Sequence, residues 1–419
     1  MRDLVIIGAG PGGYETALYA KKMGLDVVLI EENKVGGTCL NEGCIPTKTY
    51  YAVAKAINDT KKFKEIDFSL NFDMEKALER KNKVVSDLTL GIEFLLKKEN
   101  ILLIHGQASL KSPNQVLVND EVIETKYIII ATGSKEKRIE KFTRENVLTS
   151  KEILDINQIP QNLVIIGGGV IGVEMASIFN SFGSNVTLIE AEKSILSNLD
   201  IEISRRMTSY LKSSGIKVLT STKVQDITSE FVITDEKIPY DKVLLSVGRT
   251  PNYIKSDFEI DYHVNEYFKT SIDNIYAIGD VNSKMMLAHF ATYSGYKAIN
   301  HILNIKDDIR LDLTPYAVFA FPEIAHVGLK ENEIDGKAYK KMYRANGKAN
   351  AMGSTEGFIK IIVKDDRIVG ASIIGEEANL LISEIAVFIK NETKIKDIKE
   401  YIHIHPTLSE IFSELIKEI

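Results

Sequence analysis

Two stretches decide the fold: Leu4–Glu31, LVIIGAGPGGYETALYAKKMGLDVVLIE, and Leu163–Glu190, LVIIGGGVIGVEMASIFNSFGSNVTLIE. In the first, Leu4 to Ile7 read as a short buried strand, and Gly8, Gly10 and Gly13 make a G-x-G-x-x-G turn. Val27 to Ile30 read as the next strand. Gly8 permits a tight turn, Gly10 lets the backbone approach a pyrophosphate, and Gly13 lets helix and strand pack closely. Phosphates then rest on amides at the helix N-terminus. Glu31 closes the second strand, where an acid can hydrogen-bond ribose hydroxyls. The second stretch repeats this with Gly167, Gly169 and Gly172 and closes with Glu190. Each acid lies 23 positions after the first glycine of its motif (31 − 8 and 190 − 167). One glycine-rich turn recurs for purely structural reasons. Two with matched spacing and matched flanking strands read as two dinucleotide sites.

The second site favours NAD over NADP. Glu190, followed by Ala191 and Glu192, would repel a ribose 2′-phosphate and accept a free hydroxyl pair. The first site is followed by GGTCLNEGCIPTK, residues 36–48, which holds Cys39 and Cys44, the only two cysteines of the chain. A redox pair beside a dinucleotide site points to electrons moving between a disulfide and a bound cofactor. A flavin fits there, because it can take two electrons from a thiolate and pass a hydride to nicotinamide. Five residues of regular helix rise ~7.5 Å, whereas a disulfide wants its Cα atoms within ~6.8 Å. An undistorted helix cannot be bridged at this spacing. Gly43 and Pro46 suit a bent or irregular first turn. The plain alternative is a structural disulfide or two buried thiols.

At 419 residues the chain is too long for one core. With 44% hydrophobic and 26% charged residues it reads as an ordered globular protein. A net charge of −6 argues against nucleic acid as a main partner. No run of 18 apolar residues predicts a membrane span. The start MRDLVIIG enters a strand directly, leaving no room for a signal or transit peptide, and two cysteines fit a reducing compartment. The expectation is a cytoplasmic protein.

The sequence resembles the class I pyridine nucleotide–disulfide oxidoreductases, most closely their dihydrolipoyl dehydrogenase branch. The likeness runs through GGTCLNEGCIPTK, IIIATGS, the second glycine motif, SVGRTPN, IYAIGD, MLAH, FPEIAHVGL and IHIHPTLSE, in the family's order. It implies an α/β fold with two Rossmann-like dinucleotide-binding domains and a C-terminal α+β dimerisation domain. The expected parts are an FAD domain at 1–140, an NAD domain at 141–251, a central segment at 252–312 completing the FAD domain, and a dimerisation domain at 313–419. The resemblance makes Cys39 the interchange thiol and Cys44 the thiolate against the flavin. Lys48 would sit near the reactive flavin nitrogen, paired with Glu174. Thr132, Gly133, Ser134, Asp280, Met286, Leu287, Ala288 and His289 would line FAD, and Gly248 would lie by NAD. His405 would be the base, oriented by Glu410, acting across a homodimer interface. The implied substrate is a lipoyl-bearing protein domain, with an acyltransferase core or a glycine cleavage complex as the wider partner.

Several of these positions have ordinary readings too. His405 precedes Pro406, which biases it to extended backbone. In an extended stretch His403 would share its side. Thr407 to Glu410 matches a capping box, and Leu408, Ile411, Phe412, Leu415, Ile416 and Ile419 continue a helical period. Glu410 can therefore cap that helix, orient His405, or do both. Glu174 lies early in a helix, where the dipole favours an acid anyway. Glu15 holds the same register in the first repeat, where an acid beside a flavin nucleotide has no evident purpose. The segment 73–99 reads as a long amphipathic helix. The last domain reads as strands 317–320, 358–363 and 367–374 followed by helices near 377–391 and 407–419. The stretch before IYAIGD is compressed, and Leu380 stands where the family commonly has an acid. Rival functions are an NAD(P)H-dependent reductase of another disulfide, against which Glu190 speaks, and a docking subunit of a 2-oxoacid dehydrogenase or glycine cleavage complex.

Overall fold

The computed structural model describes residues 1–67 and 69–419. The chain forms two compact units. One comprises Met1–Thr49, Leu78–Lys137 and Arg249–Leu311; the other comprises Tyr50–Ala77, Arg138–Gly248 and Asp312–Ile419.

In the first unit, β1 (Arg2–Ile7) leads through the glycine turn into α1 (Pro11–Lys22), and β2 (Val27–Glu31) returns parallel to β1. Strand Leu102–His105 pairs outside β2, while Glu121–Ile130 and then Ile275–Ala277 pair on the far side of β1, all parallel. The strand order thus reverses at β1, so the glycine turn opens at the switch point where open α/β sheets bind ligands. Leu4 to Ile7 sit between Val27–Ile30 and Tyr127–Ile130, buried on both faces, which is why these strands read as continuous apolar runs. Strands Ser109–Ser112 and Gln115–Val118 extend the sheet antiparallel. Between β2 and Leu102 the chain makes α2 (Gly37–Glu42), α3 (Cys44–Lys61) and α4 (Met74–Lys98).

The second unit repeats the scheme. Its parallel sheet runs Lys217–Leu219, Asn185–Ile189, Asn162–Ile166, Lys242–Leu245, Val147–Thr149, with α5 (Val170–Phe182) following the second glycine turn. Behind it lies a five-stranded antiparallel sheet of Tyr316–Val318, Glu323–Gly328, Arg367–Gly375, Phe358–Lys364 and Lys337–Met342. Helices Ala378–Lys390 and Glu410–Lys417 share its apolar core, where Ile373, Ile385, Ile411 and Phe412 are fully or almost fully buried. Two of those strands, Glu323–Gly328 and Lys337–Met342, escape the sequence reading. The first is short and interrupted by polar residues, and the second alternates weakly. The last helix is also shorter than 407–419.

Candidate active site

Repeated sequence becomes repeated geometry at the two glycine turns. Gly8 and Gly167 take φ of +103° and +109°, left-handed values that a side chain would strain. A Cβ on Gly13 would lie 1.8 Å from the Gly8 carbonyl oxygen, and one on Gly172 would lie 2.0 Å from that of Gly167. Helix and turn can therefore approach this closely only through glycine. By contrast, a Cβ at Gly10 would meet nothing nearer than the Gly37 Cα at 3.9 Å, and one at Gly169 meets nothing within 4 Å. Neither Gly10 nor Gly169 caps its helix with a side chain, and Pro11 at the first position of α1 has no N–H to be capped. That is a cradle suited to a pyrophosphate.

The two acids are placed alike. Glu31 accepts from the Ala9 amide through Oε2 (2.6 Å) and from Asn33 through Oε1 (2.8 Å). Glu190 accepts from Gly168 through Oε2 (2.6 Å) and from Glu192 through Oε1 (2.7 Å). Each carboxylate pins its own glycine turn and keeps further lone pairs for a ribose hydroxyl. Burial pushes the Glu31 carboxyl up, against the pull of its two amides.

Around the first turn, Ser134 donates to Asp280 Oδ2 (2.5 Å), and Arg249 donates from Nε to the Ser134 hydroxyl (2.7 Å) and from Nη1 to Glu136 (2.9 Å). Burial raises the Asp280 carboxyl, with Ser134 and Arg249 opposing. Thr132 donates to the Asn252 carbonyl (2.5 Å), and Gly133 takes a φ of +69°. Arg249 lies in the SVGRTPN motif, yet its role only becomes visible when strand Arg249–Pro251 pairs with Ser134–Glu136. Leu287 caps helix Ala288–Ile302 without a side-chain bond, and Met286 and His289 are exposed beside it. At the second turn Ser246, also unforeseen, donates to the carbonyls of Ile166 and Gly167. Gly248 takes a φ of +106°.

The helix carrying the cysteines is broken between them. α2 ends at Glu42, Gly43 takes φ −145° and ψ −104°, and α3 starts at Cys44. This irregularity meets the requirement that a regular helix could not. The two sulfurs are not covalently joined, and a hydrogen bond links the side chains. That bond, then burial, pushes the Cys39 thiol up, while Lys48 on the same helix as Cys44 pulls it down. Glu174, buried in α5, accepts the Phe319 amide through Oε1 (2.9 Å).

His405 and His403 differ sharply in surroundings. His405 has 82% of its side chain exposed and meets Glu410 Oε1 through Nδ1 at 2.9 Å. His403 is 8% exposed and meets Glu384 through Nε2 at 2.8 Å. The two imidazoles thus stand in different surroundings, one buried and one in solvent. Glu410 is the first residue of its helix, and its other oxygen accepts from the Thr407 amide (2.9 Å). The Thr407 hydroxyl turns back to the Ile404 carbonyl, so only half of a capping box forms. One carboxylate thus holds both the turn and the imidazole. These bonds keep the Glu410 carboxyl below its ordinary range, Thr407 first and His405 second.

Among the described residues no group of three His, Cys, Asp or Glu could hold a metal, and no helix is long and apolar enough to cross a membrane. Two glycine cradles, a cysteine pair beside one of them and an acid–histidine pair define a dinucleotide-dependent disulfide oxidoreductase. Residues 2–295 match the pyridine nucleotide-disulphide oxidoreductase family, residues 314–416 match its dimerisation domain, and the chain belongs to that family. Its curated relatives include proteins named dihydrolipoyl dehydrogenase. That of Chlamydia muridarum is 37% identical over 98% of this chain and 95% of its own, and that of Geobacillus stearothermophilus is 35% identical over the same shares. Among solved structures, the HOCl-induced flavoprotein disulfide reductase RclA of Escherichia coli superposes with a TM-score of 0.89 at 28% identity, covering 99% of both chains. LpdA of Mycobacterium tuberculosis shares the fold at a TM-score of 0.92 and 21% identity, covering 100% of this chain and 99% of its own.

Proposed function

We infer that this chain is a dihydrolipoyl dehydrogenase, oxidising protein-bound dihydrolipoyl groups with NAD⁺ as acceptor. The observation that carries the reading is the broken helix at Gly43, which sets Cys39 against Cys44 two residues beyond the glycine pair that packs on the first cradle. The curated relatives at about 35% identity over nearly the whole chain support the substrate, and neither rival function is favoured.

His405, steadied by Glu410, takes the proton of a substrate thiol, because the thiolate is the nucleophile. That thiolate attacks the Cys39 sulfur of the disulfide and releases Cys44 as a thiolate. The second substrate thiol then displaces Cys39, giving the cyclic disulfide product and the enzyme dithiol. FAD, when bound at the first cradle, supplies the two-electron carrier between that dithiol and NAD⁺. Gly8, Gly10 and Gly13 with α1 would hold its pyrophosphate, Glu31 its ribose, and Asp280 with Ser134 the linking chain. Gly167, Gly169, Gly172 and Glu190 would hold NAD⁺, and Lys48 would lie by the flavin. The balance is dihydrolipoyl plus NAD⁺ giving lipoyl, NADH and one proton. The base is supplied across a homodimer, and the lipoyl group arrives on a carrier domain of an acyl-transfer or glycine-cleaving complex.

The test is NADH formation from dihydrolipoamide and NAD⁺ by the purified flavoprotein, with NADP⁺, glutathione disulfide and oxygen as alternative acceptors. Rapid NADH formation with the lipoyl dithiol is the expected result. Flavin binding without that turnover, or faster reduction of glutathione disulfide, would overturn the assignment.

A further inference from the structure

His405 rides on a stretch of chain with little of its own to hold it. Between Ile398 and Leu408, both buried in the core of the dimerisation domain, the nine residues 399–407 form neither helix nor strand. Seven of them are exposed, so the fixity that a proton acceptor needs has to come from a few side chains. At one end Tyr401 sets its ring edge-on to Phe388 (5.2 Å between centroids), and at the other Asn346 donates to the Thr407 carbonyl (3.1 Å). In the middle, His403 turns its ring into the domain. Its Nε2 meets Glu384 Oε1 on helix Ala378–Lys390 at 2.8 Å. The ring also stands edge-on to Phe412 (6.3 Å), two residues beyond Glu410 on the last helix. Nδ1 is buried and finds no hydrogen-bond partner among the described residues. A proton there would be a buried donor left unpaired, so the neutral ring carries it on Nε2 and donates to Glu384. Neither nitrogen can then take a proton from a substrate: Nδ1 is out of reach and Nε2 already holds one.

We propose that His403 is a positioning residue for the thiol step, anchoring through Glu384 the exposed segment that carries His405. The anchor holds from two sides. Glu384 ties the imidazole to one helix, and Phe412 packs it on the helix whose first residue, Glu410, meets His405 Nδ1. Only Ile404, itself 78% exposed, stands between this anchor and His405. Losing the anchor leaves Glu410 in place and lets the backbone beneath His405 drift, so the base is displaced rather than deprived of its acid. A misplacement of about 1 Å is enough to cost a reacting group up to about 100-fold in rate. The inference deepens the function proposed above and rests on its assignment of His405.

The experiment compares His403→Leu, His403→Gln and Glu384→Leu with the parent holoenzyme in three measurements: dihydrolipoamide oxidation, flavin reduction by NADH, and backbone amide exchange of residues 399–407. Leucine keeps the apolar packing and loses the bond. Glutamine returns an N–H near the place of Nε2 but cannot serve as a base. His403→Leu and Glu384→Leu should each lower kcat about 10- to 100-fold with KM for the dithiol within about twofold, since the base is displaced and the binding surface is not. The variant carrying both changes should go no further, because the two groups act as a unit. His403→Gln should recover most of the parent kcat, and NADH should reduce the flavin at the parent rate throughout. Unchanged kcat in His403→Leu, an equal loss in flavin reduction, or additive losses in the double variant would overturn the proposal. So would His403→Gln as slow as His403→Leu, which would make His403 itself the proton acceptor. Amide exchange needs no lipoyl substrate. It should quicken severalfold in both leucine variants and return in His403→Gln, and unchanged exchange overturns the proposal whatever the turnover. A parent enzyme that oxidises no dithiol would instead overturn the proposed function, and exchange would then decide the anchor by itself. Should His403→Leu not yield folded holoprotein, Glu384→Leu decides: slow dithiol oxidation with intact flavin reduction supports the anchor, and unchanged kcat overturns it.

Discussion

Glu190 spends its carboxylate on two amides of its own turn and still offers a ribose the remaining lone pairs. On the proposed function, its charge stands where a 2′-phosphate would arrive. Glu190→Gln keeps the shape and removes the charge, and should narrow the preference for NAD⁺ over NADP⁺ by about tenfold in kcat/KM, or ~1.4 kcal/mol. Steady-state kinetics with both nucleotides checks this. His405→Gln removes the proton acceptor but leaves the cradles untouched. It should slow dihydrolipoamide oxidation by about 10²- to 10⁴-fold while NADH still reduces the flavin at its original rate. Stopped-flow absorbance separates the two steps, and normal dithiol oxidation by the variant would remove His405 from the mechanism.

At the scale of elements, the two strand–turn–helix units are separable in their effects. Gly13→Ala drives a methyl group into the Gly8 carbonyl, and Gly172→Ala does the same at Gly167. The first should yield protein depleted of flavin. The second should retain flavin and lose NAD⁺ affinity, which the visible spectrum and a nucleotide titration distinguish. Strand Glu323–Gly328 carries a different consequence. Its His326 is buried, with Nδ1 on the Ser372 hydroxyl (2.9 Å) and Nε2 on the Gly328 carbonyl (2.9 Å). A neutral ring satisfies both by donating from Nε2 and accepting at Nδ1. Burial lowers its pKa below the ordinary 6.5. The unfolded chain binds that proton first, so the stabilisation is present above 6.5 and lost as pH falls toward the folded value. His326→Gln should therefore flatten the loss of thermal midpoint between pH 7.5 and 5.5 by a few degrees, measured by calorimetry.

Over the whole molecule, the C-terminal region leaves large apolar side chains in water. Ile402 is 98% exposed, Ile404 78% and Leu380 66%, a display that single chains rarely keep uncovered. All three lie within residues 314–416, which match the family's dimerisation domain. Ile402→Asp should give a monomer by light scattering, one that passes electrons from NADH to a dye yet oxidises dihydrolipoamide at least tenfold more slowly. Leu380, likewise exposed, is apolar where the resemblance leads one to expect an acid. The amino-acid sequence by itself determined the two nucleotide cradles, the cysteine pair and the family, because each depends on residue types at fixed short spacings. Gly13 against Gly8 and Glu31 against Ala9 are local consequences of one turn. Only the tertiary structure decided what needs distant segments: Arg249 on Ser134 by strand pairing, His403 turned inward while His405 faces out, and Glu15 met by Tyr296 from another helix. Glu410 shows the divide within one residue. Its spacing allowed either a cap or an orienting acid, and the folded turn lets its two oxygens do both because Thr407 and His405 approach from different sides.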